Sequence, residues 1–179
     1  MTSTHAHTIT TRVCAAALLG VGILSGCASS SKAEPKAPVT LMTSPAHRLV
    51  GEWMQTDEKG VKTVASVITV TSAKSALREV MFPGAPHEMT NMYHMDGDSM
   101  VLTHYCAIGN QPRMKAKLGN ANQLDFQFES VTNQSPADQE YMGRCVMTFK
   151  DADTIDVDWT SYKNGKESSH TPFHLTRKR

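Results

Sequence analysis

From Leu49 onward, apolar and polar side chains alternate with a period of two, and no segment sustains the 3.6-residue period of an amphipathic helix. The alternation predicts ten strands: Gly51–Gln55, Val61–Thr71, Ala76–Phe82, Glu88–Met95, Met100–Cys106, Pro112–Leu118, Gln123–Ser130, Tyr141–Lys150, Thr154–Tyr162 and His170–Arg177. Turn-forming residues separate most of them, at Glu58-Lys59-Gly60, Pro83-Gly84, Asp96-Gly97, Gly119-Asn120 and Asn164-Gly165.

Side-chain chemistry sets the register of individual hairpins. Pairing Arg113–Leu118 with Leu124–Glu129 puts Met114, Ala116 and Leu118 opposite Phe128, Phe126 and Leu124 on one apolar face. The same register sets Lys117 against Asp125 and Arg113 against Glu129, and opposite charges directly across a ladder stabilise it. A slip of one residue would turn every side chain to the other face. The Cys145, Met147 and Phe149 face matches Trp159, Val157 and Ile155 around the loop at Lys150–Thr154. Phe173 and Leu175 reach that face only if the connection at Lys163-Asn164-Gly165 has odd length, which predicts a glycine bulge there.

Ten short strands with one apolar face each predict an all-β fold, an antiparallel up-and-down β-barrel, with a β-sandwich as the alternative. Gly51-Glu52-Trp53 on the first strand and Arg177 on the last resemble the calycin (lipocalin and fatty-acid-binding) pattern. That resemblance implies a tryptophan closing the barrel floor with an arginine stacked on it by cation–π attraction. The stretches Phe82–Met89, His94, Thr103–Cys106 and Gly109–Met114 resemble a family of secreted or lipid-anchored bacterial proteins with a calycin-like domain. This second resemblance supports the fold and brings no catalytic assignment.

The N-terminus has a different character. Arg12 precedes the apolar run Val13–Gly26, which falls short of the roughly 20 residues a membrane-spanning helix needs. It ends in Leu24-Ser25-Gly26-Cys27, which resembles the lipobox of bacterial lipoproteins. The resemblance implies a signal peptide over residues 1–26, diacylation of Cys27, and a membrane anchor held by two or three acyl chains, each buried methylene contributing about 0.8 kcal/mol. Ala28 in place of aspartate fits sorting to the outer membrane, facing the periplasm. Residues 27–47, rich in Ser, Ala, Pro and Lys, read as a flexible tether, which leaves 48–179 for the barrel.

In an oxidising compartment the two cysteines of the barrel, Cys106 and Cys145, suggest a disulfide. Two separate buried thiols are the alternative. A net charge of +1 over 179 residues gives no sign of a nucleic-acid partner.

Candidate chemistry gathers in His94–Cys106. With an even loop after Asp96, His94 and His104 take opposite faces; with an odd loop they share one face with Cys106. His87, Glu88, His94, His104, Phe126 and Trp159 are the candidate ligand-binding residues, with Phe128, Met114 and Val157 as further lumen lining. A lumen of this composition suits a small hydrophobic molecule, such as a fatty acid, lipid or other apolar metabolite. A barrel filled by its own side chains, serving a structural or protein-interaction role, is the alternative. No cofactor is required by the composition. The histidines and Glu88 would suit zinc or iron, or haem as in nitrobindin-like barrels, and Met81, Met89, Met92, Met95 and Met100 would suit copper(I). Cys106 beside a histidine lacks the third, orienting group of a nucleophilic site, so no catalytic residue is assigned.

Overall fold

The alternation is realised as a closed wall. The structure, a computed structural model, describes residues 39–179. Cys27, expected to carry the lipid, the expected signal peptide and most of the expected tether lie outside the described residues. Ten antiparallel strands follow one another: β1 Gly51–Thr56, β2 Lys62–Thr71, β3 Ala76–Met81, β4 Met89–Asp96, β5 Ser99–Tyr105, β6 Gln111–Lys117, β7 Gln123–Thr132, β8 Tyr141–Phe149, β9 Thr154–Lys163 and β10 Lys166–Arg177. Each strand pairs with its neighbours in sequence, and β1 pairs with β10, so the sheet is a closed barrel and not a sandwich. Closure removes both sheet edges. Among the described residues, no helix is long and apolar enough to cross a membrane.

Inward positions carry the core. Leu77, Tyr93, Leu102, Met114, Phe126 and Cys145 are fully buried, each large apolar side chain contributing about 1.5–3 kcal/mol relative to exposure. The β8–β9 register follows the side-chain chemistry, with Cys145 opposite Trp159, Met147 opposite Val157 and Phe149 opposite Ile155.

Four bulges adjust the phase of this wall, one of them at Ala65 in β2, between Trp53↔Ser66 and Met54↔Val64. Phe173 and Leu175 do lie opposite Val157 and Ile155. The turn before them, however, is a plain two-residue one at Asn164-Gly165, with both φ angles positive. The extra residue sits downstream in β10, at Ser168, between Glu167↔Tyr162 and Ser169↔Ser161. In β6–β7, Met114 pairs with Phe128, but Glu129 is the extra residue and Arg113 pairs with Ser130. Arg113 still reaches Glu129, at 2.9 Å. Asp125 takes Arg144 at 2.8 Å rather than Lys117, because β8 brings a guanidinium whose fork fits a carboxylate. Phe128 is not part of the lumen. The β7–β8 pairing ends at Gln127↔Arg144, and the Phe128 ring, 41% exposed, lies on Tyr141 at 4.8 Å.

The expected disulfide is absent, and both thiols are free. Cys145 lies inside the barrel on β8, whereas Cys106 follows β5, with β6 and β7 between. Three strand spacings amount to roughly 14 Å of wall, twice the Cα separation a disulfide tolerates.

One end of the barrel is floored. Arg177 lies over the Trp53 indole at 4.3 Å, and its Nη1 and Nη2 donate to the carbonyls of Val50 and Arg48 at 2.7 and 2.8 Å. Gly51 makes room for this. Its φ is +136°, and a Cβ there would stand 2.6 Å from Arg177 Nη1. A second stack sets Arg48 over Phe149 at 4.2 Å. The 3-10 turns Leu41–Thr43 and Pro45–Leu49 cover this end, with Leu41, Ala46 and Leu49 buried in the core and Leu49 accepting from Trp53 Nε1 at 2.7 Å. The packed unit therefore starts ahead of residue 48. The segment read as tether contains its own capping residues, Thr40 and Ser44, and its own buried side chains.

Candidate ligand-binding site

A chain of polar groups crosses the apolar interior towards the other end of the barrel. Glu79 on β3 is 5% exposed and accepts from Ser66 Oγ at 2.6 Å, from Asn91 Nδ2 at 2.7 Å and from the Tyr93 hydroxyl. With its amide nitrogen committed to Glu79, Asn91 turns its Oδ1 to His104 Nδ1 at 2.7 Å. An amide oxygen only accepts, so Nδ1 carries the imidazole proton and Nε2 a lone pair.

His104 is 1% exposed, and its Nε2 has no hydrogen-bond partner among the described residues. Leaving such an atom buried costs about 1–3 kcal/mol. Burial also lowers the imidazole pKa from its ordinary value to about 4, so the ring is neutral near pH 7. Burial likewise pushes the Cys145 thiol well up, which keeps it protonated and poorly nucleophilic.

His104 lines a cavity of about 210 Å³ at the mouth, together with Met81, Phe82, His87, Met89, Met142, Trp159, Thr171 and Phe173. A second cavity, of about 30 Å³, lies deeper between Trp53, Ser66, Glu79 and their apolar neighbours. It has room for about one water molecule, whereas 150 Å³ already accommodates a benzene ring. The centre of the barrel is thus filled by side chains, and ligand-sized space exists at the mouth.

Local backbone features build that mouth. Phe82 has φ +50°, a region bulky residues avoid; its N–H bonds the Ala65 carbonyl at 2.8 Å and its ring packs against His87 and Phe173. Strain of this kind collects where a site needs a particular wall. Gly143 marks a further bulge. It falls between Met142↔Ser161 and Arg144↔Thr160, and so moves Met142 into phase with Ser161 and Trp159. A Cβ on Gly143 would meet the Tyr162 ring at 2.5 Å.

The candidate residues fare differently. His104, Trp159 and His87 line the cavity, His104 and Trp159 with ring centroids 4.9 Å apart. Glu88 is exposed and caps its own loop, accepting from Gly84 N–H at 2.7 Å. Phe126 is fully buried in the core beside Tyr93, away from the mouth. His94 is on the outer face: Asp96↔Ser99 encloses a two-residue turn, Gly97-Asp98, so the loop is even and the two histidines part. The turn sits one residue beyond the Asp96-Gly97 expected.

Glu79, Asn91, Tyr93 and Ser66 went unread in the sequence. The signal was present, since Leu77-x-Glu79-x-Met81 and Asn91-x-Tyr93 put a carboxyl and an amide in phase with inward positions.

Among the described residues, no three histidine, cysteine, aspartate or glutamate side chains gather as a metal site would require. Haem fits poorly. A free Nε2 would suit its iron, but a 210 Å³ cavity is scaled to one ring and a short substituent rather than a tetrapyrrole. Compared with known protein families and with curated proteins, the chain matches none.

Proposed function

We propose that this protein is a lipid-anchored component of a bacterial envelope, on the outer membrane facing the periplasm, whose β-barrel binds a small hydrophobic molecule at its mouth. Leu24-Ser25-Gly26-Cys27 supports the anchor and Ala28 the destination. The observation that carries the binding reading is the mouth cavity: about 210 Å³, mostly apolar walls, and among its lining residues His104, whose buried Nε2 has no partner among the described residues. Such a combination suits capture better than catalysis, because no nucleophile stands beside the imidazole with an orienting group.

The filled centre of the barrel limits the occupant to something near one ring in size. Long-chain lipids are too large to be enclosed here. A second occupant, copper(I), is favoured by one observation: Met81, Met89 and Met142 bring thioethers to the same wall as His104, and soft ligands select that ion.

The test is native mass spectrometry of the full-length protein purified from its own envelope, with solvent extraction and metal analysis of the same sample. The reading expects a stoichiometric adduct of low mass that Met142→Trp, by filling the cavity, abolishes. An adduct unaffected by Met142→Trp would place binding elsewhere and refute the mouth as the site. A stoichiometric copper content in place of an organic adduct would favour the second occupant.

A further inference from the structure

The polar content of the mouth cavity is one-sided, and this defines the chemistry of its occupant. The inference rests on the reading of that cavity as a ligand pocket. His104 Nδ1 is committed to Asn91 Oδ1, and Asn91 cannot turn its amide round because Nδ2 serves Glu79. The opposite edge of the ring therefore offers a lone pair, and only a lone pair. His87 and Thr171 sit at the rim, exposed, where water serves them equally.

Among the described residues, no lysine or arginine lines the cavity. Behind the ring, two hydrogen bonds away through Asn91, lies the carboxyl group of Glu79. An anion at Nε2 would meet a lone pair and no donor. A molecule that only accepts hydrogen bonds would leave Nε2 unpaired. The remaining wall consists of aromatic rings, Phe82, Trp159 and Phe173, and the thioethers of Met81, Met89 and Met142.

We propose that the pocket selects a small neutral molecule with an O–H or N–H donor on an apolar, ring-sized body, of the phenol or indole kind, and discriminates against carboxylates and ethers of the same size. The donor shares its proton with His104 Nε2 while the ring fills the space between Trp159 and Phe173. No bond is made or broken. Fatty acids, which the apolar lumen alone would suggest, are disfavoured by their charge as well as their length.

The experiment titrates the full-length protein, reconstituted in nanodiscs, with toluene, anisole, phenol and benzoate, reading Kd by calorimetry and the His104 ring nitrogens by NMR. Phenol should bind at least about tenfold more tightly than anisole, and benzoate more weakly than toluene. The Nε2 resonance should move upfield with phenol and stay in place with toluene. In His104→Phe the preference for phenol should vanish. The wild-type nitrogen signal decides the matter should that variant fail to fold. Toluene and phenol binding equally, with Nε2 unmoved, would overturn the donor inference and leave the pocket reading intact. Tighter binding of benzoate would overturn it too. Absence of binding by all four would bring down the pocket reading and this inference together.

Discussion

His104 donates its Nδ1 proton to Asn91 Oδ1 across 2.7 Å, with both residues fully enclosed in the barrel wall. The bond fixes the tautomer of the imidazole, and the Glu79–Asn91 bond fixes the amide. The orientation of the His104 ring, and with it of Nε2, is thus set from β3 through β4 to β5. Replacing Asn91 by Leu should strand Nδ1–H and remove a donor from Glu79. A loss of about 2–4 kcal/mol in urea denaturation is expected, with mixed tautomers in the ring-nitrogen spectrum. A spectrum still showing one tautomer would mean that packing against Trp159 alone fixes the ring.

Acid stability follows from the same burial. The folded pKa of His104 lies near 4, below the roughly 6.5 of an unfolded histidine. Between these values the unfolded chain binds the proton that the folded chain refuses, so stability falls as pH drops from about 6.5 to about 4 and levels off below. The window corresponds to roughly 3 kcal/mol. His104→Gln should flatten this part of the pH–stability curve. Asp96, Asp151 and Glu140, whose pKa values are lowered by hydrogen bonds, lose their contributions as pH falls from about 4.5 downward and so overlap only the lower edge of this window.

At the floor, Gly51→Ala should cost about 3 kcal/mol, from a strained positive φ and a collision with Arg177 Nη1. Arg177→Ala should cost about 2–3 kcal/mol through the lost Trp53 stack and the two carbonyl bonds. The double variant should be clearly less destabilised than the sum, because the collision disappears with the guanidinium. Simple additivity in thermal unfolding would contradict this geometry.

Gly143→Ala tests how the mouth is built. A Cβ there meets the Tyr162 ring at 2.5 Å, so the bulge must shift. A destabilisation of about 1–3 kcal/mol is expected, together with weaker toluene binding as Met142 loses its place on the wall. Unchanged affinity would separate Met142 from the site.

Most of this fold was legible in the chain, for a reason that also explains what was missed. Alternation records which face a residue takes, so strand positions and the Cys145–Trp159, Met147–Val157 and Phe149–Ile155 pairs could be read directly. Bulges add one residue without leaving a distinctive composition. Ser168 and Glu129 are ordinary strand residues, and their place is decided by closure of the whole barrel. The parting of His94 from His104 depended on a loop length that composition left open, which the Gly97-Asp98 turn then fixed. Phe126 shows the remaining limit. Being inward does not mean facing a cavity, because the packing of neighbours decides where the core ends.

The most direct test of a ligand pocket at the mouth uses the protein's own methionines. In a full-length sample carrying ¹³C-labelled methionine methyls, toluene is titrated and each methyl signal followed. Ring currents should shift Met81, Met89 and Met142, which line the cavity, saturably and with one common Kd, while Met100 and Met114, sealed in the core, stay still. Absence of a saturable shift, or shifts spread evenly over all the methyls, would contradict the account.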